Sequence, residues 1–108
     1  MSGAVQYLFD STGNWIAFRC DSYVFDPSGI WIGWLPWGDA EVVDTNGQYL
    51  GTIFPGDRLY HVRSRPYRGY PGYPGYPGYP GYPGYPGFAG FSPPPPGATD
   101  VDIEAKGG

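Results

Sequence analysis

Three stretches of the chain share one pattern of apolar and polar positions: YLFDSTGNWIAF from Tyr7, YVFDPSGIWIGW from Tyr23 and EVVDTNGQYLGT from Glu41. In each, two or three apolar residues run into an Asp. Two turn-forming residues and a Gly follow, then one variable position, an aromatic residue, an Ile or Leu, and a small residue. Short apolar runs on either side of a turn signal predict two β-strands joined as a hairpin. The repeats are offset by 16 and 18 residues, too short for helical repeats and suited to one hairpin plus its connection.

The Asp-x-x-Gly core of the repeat is turn chemistry. Asp10, Asp26 and Asp44 suit the first position of a type I turn, where the carboxylate caps nearby backbone; Pro27 suits the second and Gly13, Gly29 and Gly47 the fourth. Arranged around an axis, the three carboxylates could instead form an acidic ring for a cation, but no other ligand type repeats beside them. The strand after each turn is apolar on both sides. Strict alternation puts Ile16, Ile32 and Leu50 with Phe18, Trp34 and Thr52 on one face, and Trp15, Trp31 and Tyr49 with Ala17, Gly33 and Gly51 on the other. A sheet open to water on one side does not fit that pattern. Either the hairpins close around an axis, with rings covering nearly bare backbone, or the aromatic face is an interface between chains. Trp15, Trp31, Tyr49, Trp34 and Trp37 are therefore candidates for the core, for an interface, or for a carbohydrate or peptide site lined by rings.

FPGDRLYHV then supplies a turn and a short strand from Arg58 to Val62, which reads as the first half of a fourth hairpin. No second half with the repeat's pattern follows. In its place, aromatic residues recur at every third position from Tyr67 through Tyr70, Tyr73, Tyr76, Tyr79, Tyr82 and Tyr85 to Phe88 and Phe91, with Gly in phase from Gly69 to Gly90. Pro fixes φ near −65° and pushes the residue before it out of the helical region, so polyproline II is the expected conformation. At about 3.1 Å per residue the ladder would extend for roughly 75 Å, rings on one edge and glycines on another. Three uses are open: a solvated linker, a collagen-like trimer with glycine inside, or an aromatic edge packed against neighbouring subunits.

Composition and charge narrow the function. The 19 Gly and 14 Pro of the 108 residues are concentrated after Pro66, so only the first part of the chain resembles an ordinary domain. A unit of that size buries about 60% of its unfolded surface and is marginal alone. Residues 1–57 carry seven acids against the single Arg19, which disfavours nucleic acid as a partner. Arg58, Arg63, Arg65 and Arg68 reverse the sign at the junction with the tail, either as a solvated stretch or as partners for the acidic face. His61 and Cys20 are each the only one of their kind, so no metal cluster of His and Cys, no internal disulfide and no cofactor is expected. No nucleophile elbow and no phosphate-cradling loop stands out, and a non-enzymatic protein is the expectation. The chain shows no signal-peptide pattern and no apolar run of membrane-spanning length, which makes the cytoplasm the default location, with export to the surface by an unrecognised route open.

The stretches DSTGNWIAF, DPSGIWIGW and TNGQYLGTIFPGDRLYH resemble the four-fold β-flower family, small bacterial proteins in which short hairpins are set around a four-fold axis. The resemblance covers roughly Tyr7 to His61 and implies a fold without assigning an activity. The expected fold class is all-β: three full hairpins and part of a fourth in a small flower or barrel-like meander, followed by a polyproline II tail. The expected division is a hairpin module over residues 1–65, the Tyr-Pro-Gly tail over 66–97 and an acidic C-terminus over 98–108. The expected function is self-association into a homo-oligomer or fibre through the aromatic residues. A module recognising a sugar, peptide or lipid headgroup, with the tail as a tether, is the alternative. Association between chains could complete the fourth hairpin.

Overall fold

The computed structural model describes residues 5–101. Eight strands follow one another along the chain: β1 (Val5–Phe9), β2 (Trp15–Cys20), β3 (Tyr23–Phe25), β4 (Trp31–Trp34), β5 (Glu41–Asp44), β6 (Tyr49–Phe54), β7 (Arg58–Val62) and β8 (Ala98–Asp100). Each pairs antiparallel with the next, and β1 returns to β7 through one parallel pairing, Phe9 opposite Arg58, which closes the sheet. There are no helices among the described residues.

The three Asp-x-x-Gly turns have the same hydrogen bonds. The N–H of Gly13, Gly29 and Gly47 donates to the carbonyl of Asp10, Asp26 and Asp44 at 2.9–3.1 Å. Each Asp Oδ1 accepts from two further backbone N–H groups at 2.9–3.0 Å: Thr12 and Asn14, Ser28 and Ile30, Asn46 and Gln48. A carboxylate used in this way satisfies the turn's own donors. The three glycines have φ between +86° and +94°, a region an L side chain rarely enters.

Strict alternation fails after each turn because each hairpin carries one extra residue. Leu8 faces Ala17 and Phe9 faces Trp15, Val24 faces Gly33 and Phe25 faces Trp31, Val42 faces Gly51 and Val43 faces Tyr49. The skipped residues are Ile16, Ile32 and Leu50. A bulge of this kind changes the phase of the side chains, so Ala17, Ile32 and Leu50, assigned above to opposite faces, share one core. Its centre is a layer of equivalent first-strand residues, Leu8, Val24, Val42 and Leu59, all at 0% exposure. The fourth member, Leu59, places β7 in the same role as β1, β3 and β5.

The fourth hairpin is completed within the chain. β8 pairs with β7 by setting Ala98 opposite Val62, Thr99 opposite His61 and Asp100 opposite Tyr60. A strand has two hydrogen-bonding edges; β6 takes one edge of β7, and β1 and β8 share the other. Val101 packs onto the core, and the Asp100 carboxylate accepts from Ser11 N–H at 2.8 Å and Ser11 Oγ at 2.7 Å, tying β8 to the first turn. Residues 98–101 therefore belong to the sheet, a correction to the division that began a separate C-terminus at 98; residues 102–108 lie outside the described residues.

The tail is not a polyproline II rod. Every glycine from Gly69 to Gly90 has φ between +84° and +96°, whereas polyproline II and collagen need a negative φ at each residue. A fixed proline followed by a left-handed glycine turns the chain as the two central residues of a type II turn do. Repeated along the tail, these corners bend it around the hairpins. The molecule is 34 × 33 × 27 Å, too small for a straight ladder of roughly 75 Å. Its radius of gyration of 13.0 Å is that of a compact chain of this length, about 13 Å.

Candidate functional site, an aromatic belt over the hairpin turns

The tail crosses the hairpins in reverse order. Tyr70 lies over Gly47 in the third turn and Tyr79 over Gly29 in the second, each where an added Cβ would collide with the ring. Tyr73 and Tyr76 stand 5.6 and 5.9 Å from the Trp31 ring, and Tyr82 and Tyr85 stand 5.9 and 6.0 Å from Trp15. The same contacts recur after nine residues, so three Tyr-Pro-Gly triplets advance the belt by one hairpin. Trp15 and Trp31 are held beneath it: their indole N–H groups donate to the carbonyls of Ala17 and Gly33, both at 2.8 Å. Gly33 is glycine because a Cβ there would collide with the Val43 carbonyl of the neighbouring strand.

The belt is fastened where its triplets depart from the repeat. Arg68, Ala89 and Ser92 occupy positions that are proline in the triplets between them. Ala89 N–H donates to Gly13 O at 3.0 Å and Ser92 N–H to Ser11 O at 2.7 Å, bonds that proline cannot make. Arg68 Nη1 donates to Asp39 Oδ2 at 2.7 Å and to Glu41 Oε1 at 2.8 Å, while Arg65 pairs with Glu41. The Arg68 guanidinium lies 4.2 Å from the Trp37 ring centroid and that of Arg65 lies 4.4 Å from Tyr49. Burial first, and then the charge of Arg68, pull the Arg65 guanidinium below its ordinary pKa, partly offset by Asp39. A chain with Ala89→Pro, although closer to a perfect repeat, is expected to be less stable by about 2 kcal/mol, because Gly13 O loses its donor. An equal or higher urea midpoint would contradict the bond's role.

Arg58 joins the belt to the barrel. It is 7% exposed; Nη1 donates to Asp10 O and to Gly90 O, both at 2.8 Å, and Nη2 to Ala89 O at 3.2 Å. Tyr60 Oη donates to Ser92 O at 2.5 Å and Tyr7 Oη to Pro83 O at 2.9 Å. Of the four arginines at the junction with the tail, one is buried and two are paired with acids; only Arg63 has no partner for its side chain among the described residues.

The belt's outward side is exposed. Tyr67, Tyr70, Tyr73, Tyr76, Tyr79, Tyr82, Tyr85, Phe88 and Phe91 are each 60–83% accessible, whereas Trp15, Trp31, Trp34, Trp37 and Tyr49 are half-buried. The most exposed aromatic surface is thus the tail's, and Trp15 and Trp31 lie under it. Sequence reasoning missed Arg58, Ser11, Tyr60, Ala89, Ser92 and Asp100. The signal for two of them, a break in the proline position, was legible at Ala89 and Ser92. Cys20 has its thiol pushed up by burial and then by Asp21, which lowers its reactivity at neutral pH. Among the described residues no three His, Cys, Asp or Glu side chains gather as a metal site, and no helix is long and apolar enough to cross a membrane.

Four short hairpins, closed around a layer of four equivalent aliphatic residues, define a small all-β flower. A family model described as 4-fold beta flower protein matches residues 2–101, and the chain belongs to that family. No curated protein and no solved structure matches the chain.

Proposed function

We propose that the protein is a non-enzymatic self-associating module whose aromatic belt is the contact surface between copies. The observation that carries this reading is the row of nine rings, each 60–83% exposed, on one continuous segment. Exposed apolar surface of this extent on a small protein marks an interaction site, and aromatic residues are the type enriched in such sites. The belt's inner edges are engaged with its own hairpins, which holds the rings in place and lowers the entropy lost on association.

The test is light scattering on the full chain at micromolar concentration, beside a double variant, Phe88→Glu and Phe91→Glu. Both rings are about 70% exposed (68% and 71%), so the variant places charge on the belt without disturbing the core. Self-association of the native chain and its loss in the variant, with an unchanged thermal midpoint, is the expected result. A monomer in both cases, or an oligomer unaffected by the two charges, would overturn the reading.

A further inference from the structure

The belt's nine-residue register reaches the turn of the third hairpin, where Tyr70 lies over Gly47 as Tyr79 lies over Gly29, but the pair of rings that flanks Trp15 and Trp31 is not repeated there. Trp15 is flanked by Tyr82 and Tyr85 and Trp31 by Tyr73 and Tyr76. On the third hairpin Tyr49 occupies the tryptophan's place, and one step of nine back from Tyr73 and Tyr76 falls on Ser64 and Tyr67. Ser64 brings no ring. Tyr67, at 83% exposure, is the most accessible of the nine belt rings and packs on no other ring among the described residues. Arg65 covers one side of Tyr49 and the His61 ring stands 5.0 Å from it; beside them an open cleft of about 380 Å³ remains, lined by Tyr49, Arg65, Tyr67, Tyr70, Asn46 and Gln48.

We propose that this cleft receives an aromatic ring from a Tyr-Pro-Gly segment of a second copy of the chain. The inference rests on the self-association proposed above and identifies where on the molecule it occurs. The occupant is named by what fills the two equivalent places: rings of Tyr-Pro-Gly triplets, set tilted or edge-on to the indole at 5.6–6.0 Å. The third place offers the same kind of wall, Tyr67 and Tyr70 beside Tyr49. The side-chain amides of Asn46 and Gln48, which have no partner among the described residues, can meet the carbonyls of an incoming triplet. Proline removes one N–H in three from such a segment, so an amide donor on the receiving side suits it better than a strand edge would.

The probe is the peptide acetyl-GYPGYPG-amide, titrated into the isotopically labelled full chain. Saturable shifts are expected at the backbone amides of Gly47, Gln48 and Gly69. The amides of Gly13 and Gly29, which do not line the cleft, are expected to stay in place. Tyr67→Ala, which removes a cleft wall with no ring contact of its own, is expected to weaken the peptide at least tenfold with an unchanged thermal midpoint. The peptide is also expected to reduce the oligomer seen by light scattering. Shifts that do not saturate, or that persist unchanged in Tyr67→Ala, overturn the site. So does saturation of the cleft by a neutral disaccharide with no response to the peptide. An oligomer indifferent to the peptide overturns the cleft as the contact while leaving self-association standing; a monomeric native chain overturns self-association itself, and with it the second copy as occupant.

Discussion

A chain ending at Pro66 is expected to lose cooperative folding. The sequence divides there, with an ordinary hairpin module before and a low-complexity tail after, but the molecule does not. Ending at Pro66 removes β8 from the edge of β7, Val101 from the core and the rings that flank Trp15 and Trp31. It also strips partners from Arg58, Tyr60, Ser11 and the Gly13 carbonyl. Each buried polar group left unpaired costs about 1–3 kcal/mol, and several together are comparable with the about 5–15 kcal/mol by which whole domains are stable. A unit of 66 residues has little reserve against such a loss. The expected outcome is a broad, weak urea transition and collapsed amide dispersion, beside a single sharp transition for the full chain. A sharp transition in the shortened chain would mean that the belt is an ornament on a self-sufficient barrel.

Arg58→Ala carries the second large expected effect. One guanidinium holds carbonyls from the first turn and from the end of the belt, at the point where β1 meets β7 and the sheet closes. Hydrogen bonds from a charged donor are worth about 1.5–3 kcal/mol each. The Asp10 carbonyl keeps its bond from Gly13 N–H, so the loss is less than the sum of three. About 3 kcal/mol is expected, or about 12–24 °C in thermal midpoint at about 4–8 °C per kcal/mol. Arg58→Lys is expected to fall between, since an ammonium lacks the planar fork that reaches separate acceptors. A midpoint within a few degrees of the native chain for Arg58→Ala would remove Arg58 from the closure.

Much of this is legible in the residues. The turns are local: an Asp whose carboxylate serves N–H groups two and four residues on needs nothing from the rest of the chain, and the Asp-x-x-Gly spacing states it. The count of first strands is legible as well, because Leu59 repeats the place of Leu8, Val24 and Val42. The side-chain phase after each turn was not. A bulge at Ile16, Ile32 and Leu50 has no residue signature in the alternation itself and appears only when the two strands are paired. The tail's path is not legible for a related reason. Proline constrains φ to one value, and polyproline II follows from it alone, but glycine is free to take either sign. The sign is chosen by what the neighbouring rings can reach, here Trp31 and Trp15 on the barrel.

The sequence by itself determined what is encoded within a few residues: an all-β chain of repeated hairpins, the chemistry of their turns, and a ring at every third position of the tail. The tertiary structure alone decided that the tail is a belt and not a rod, that three triplets match one hairpin, and that β8 closes the fourth hairpin from about 40 residues away. Those features join residues distant in sequence through backbone groups common to every residue, and a pattern of side chains does not record such pairings until the chain has closed.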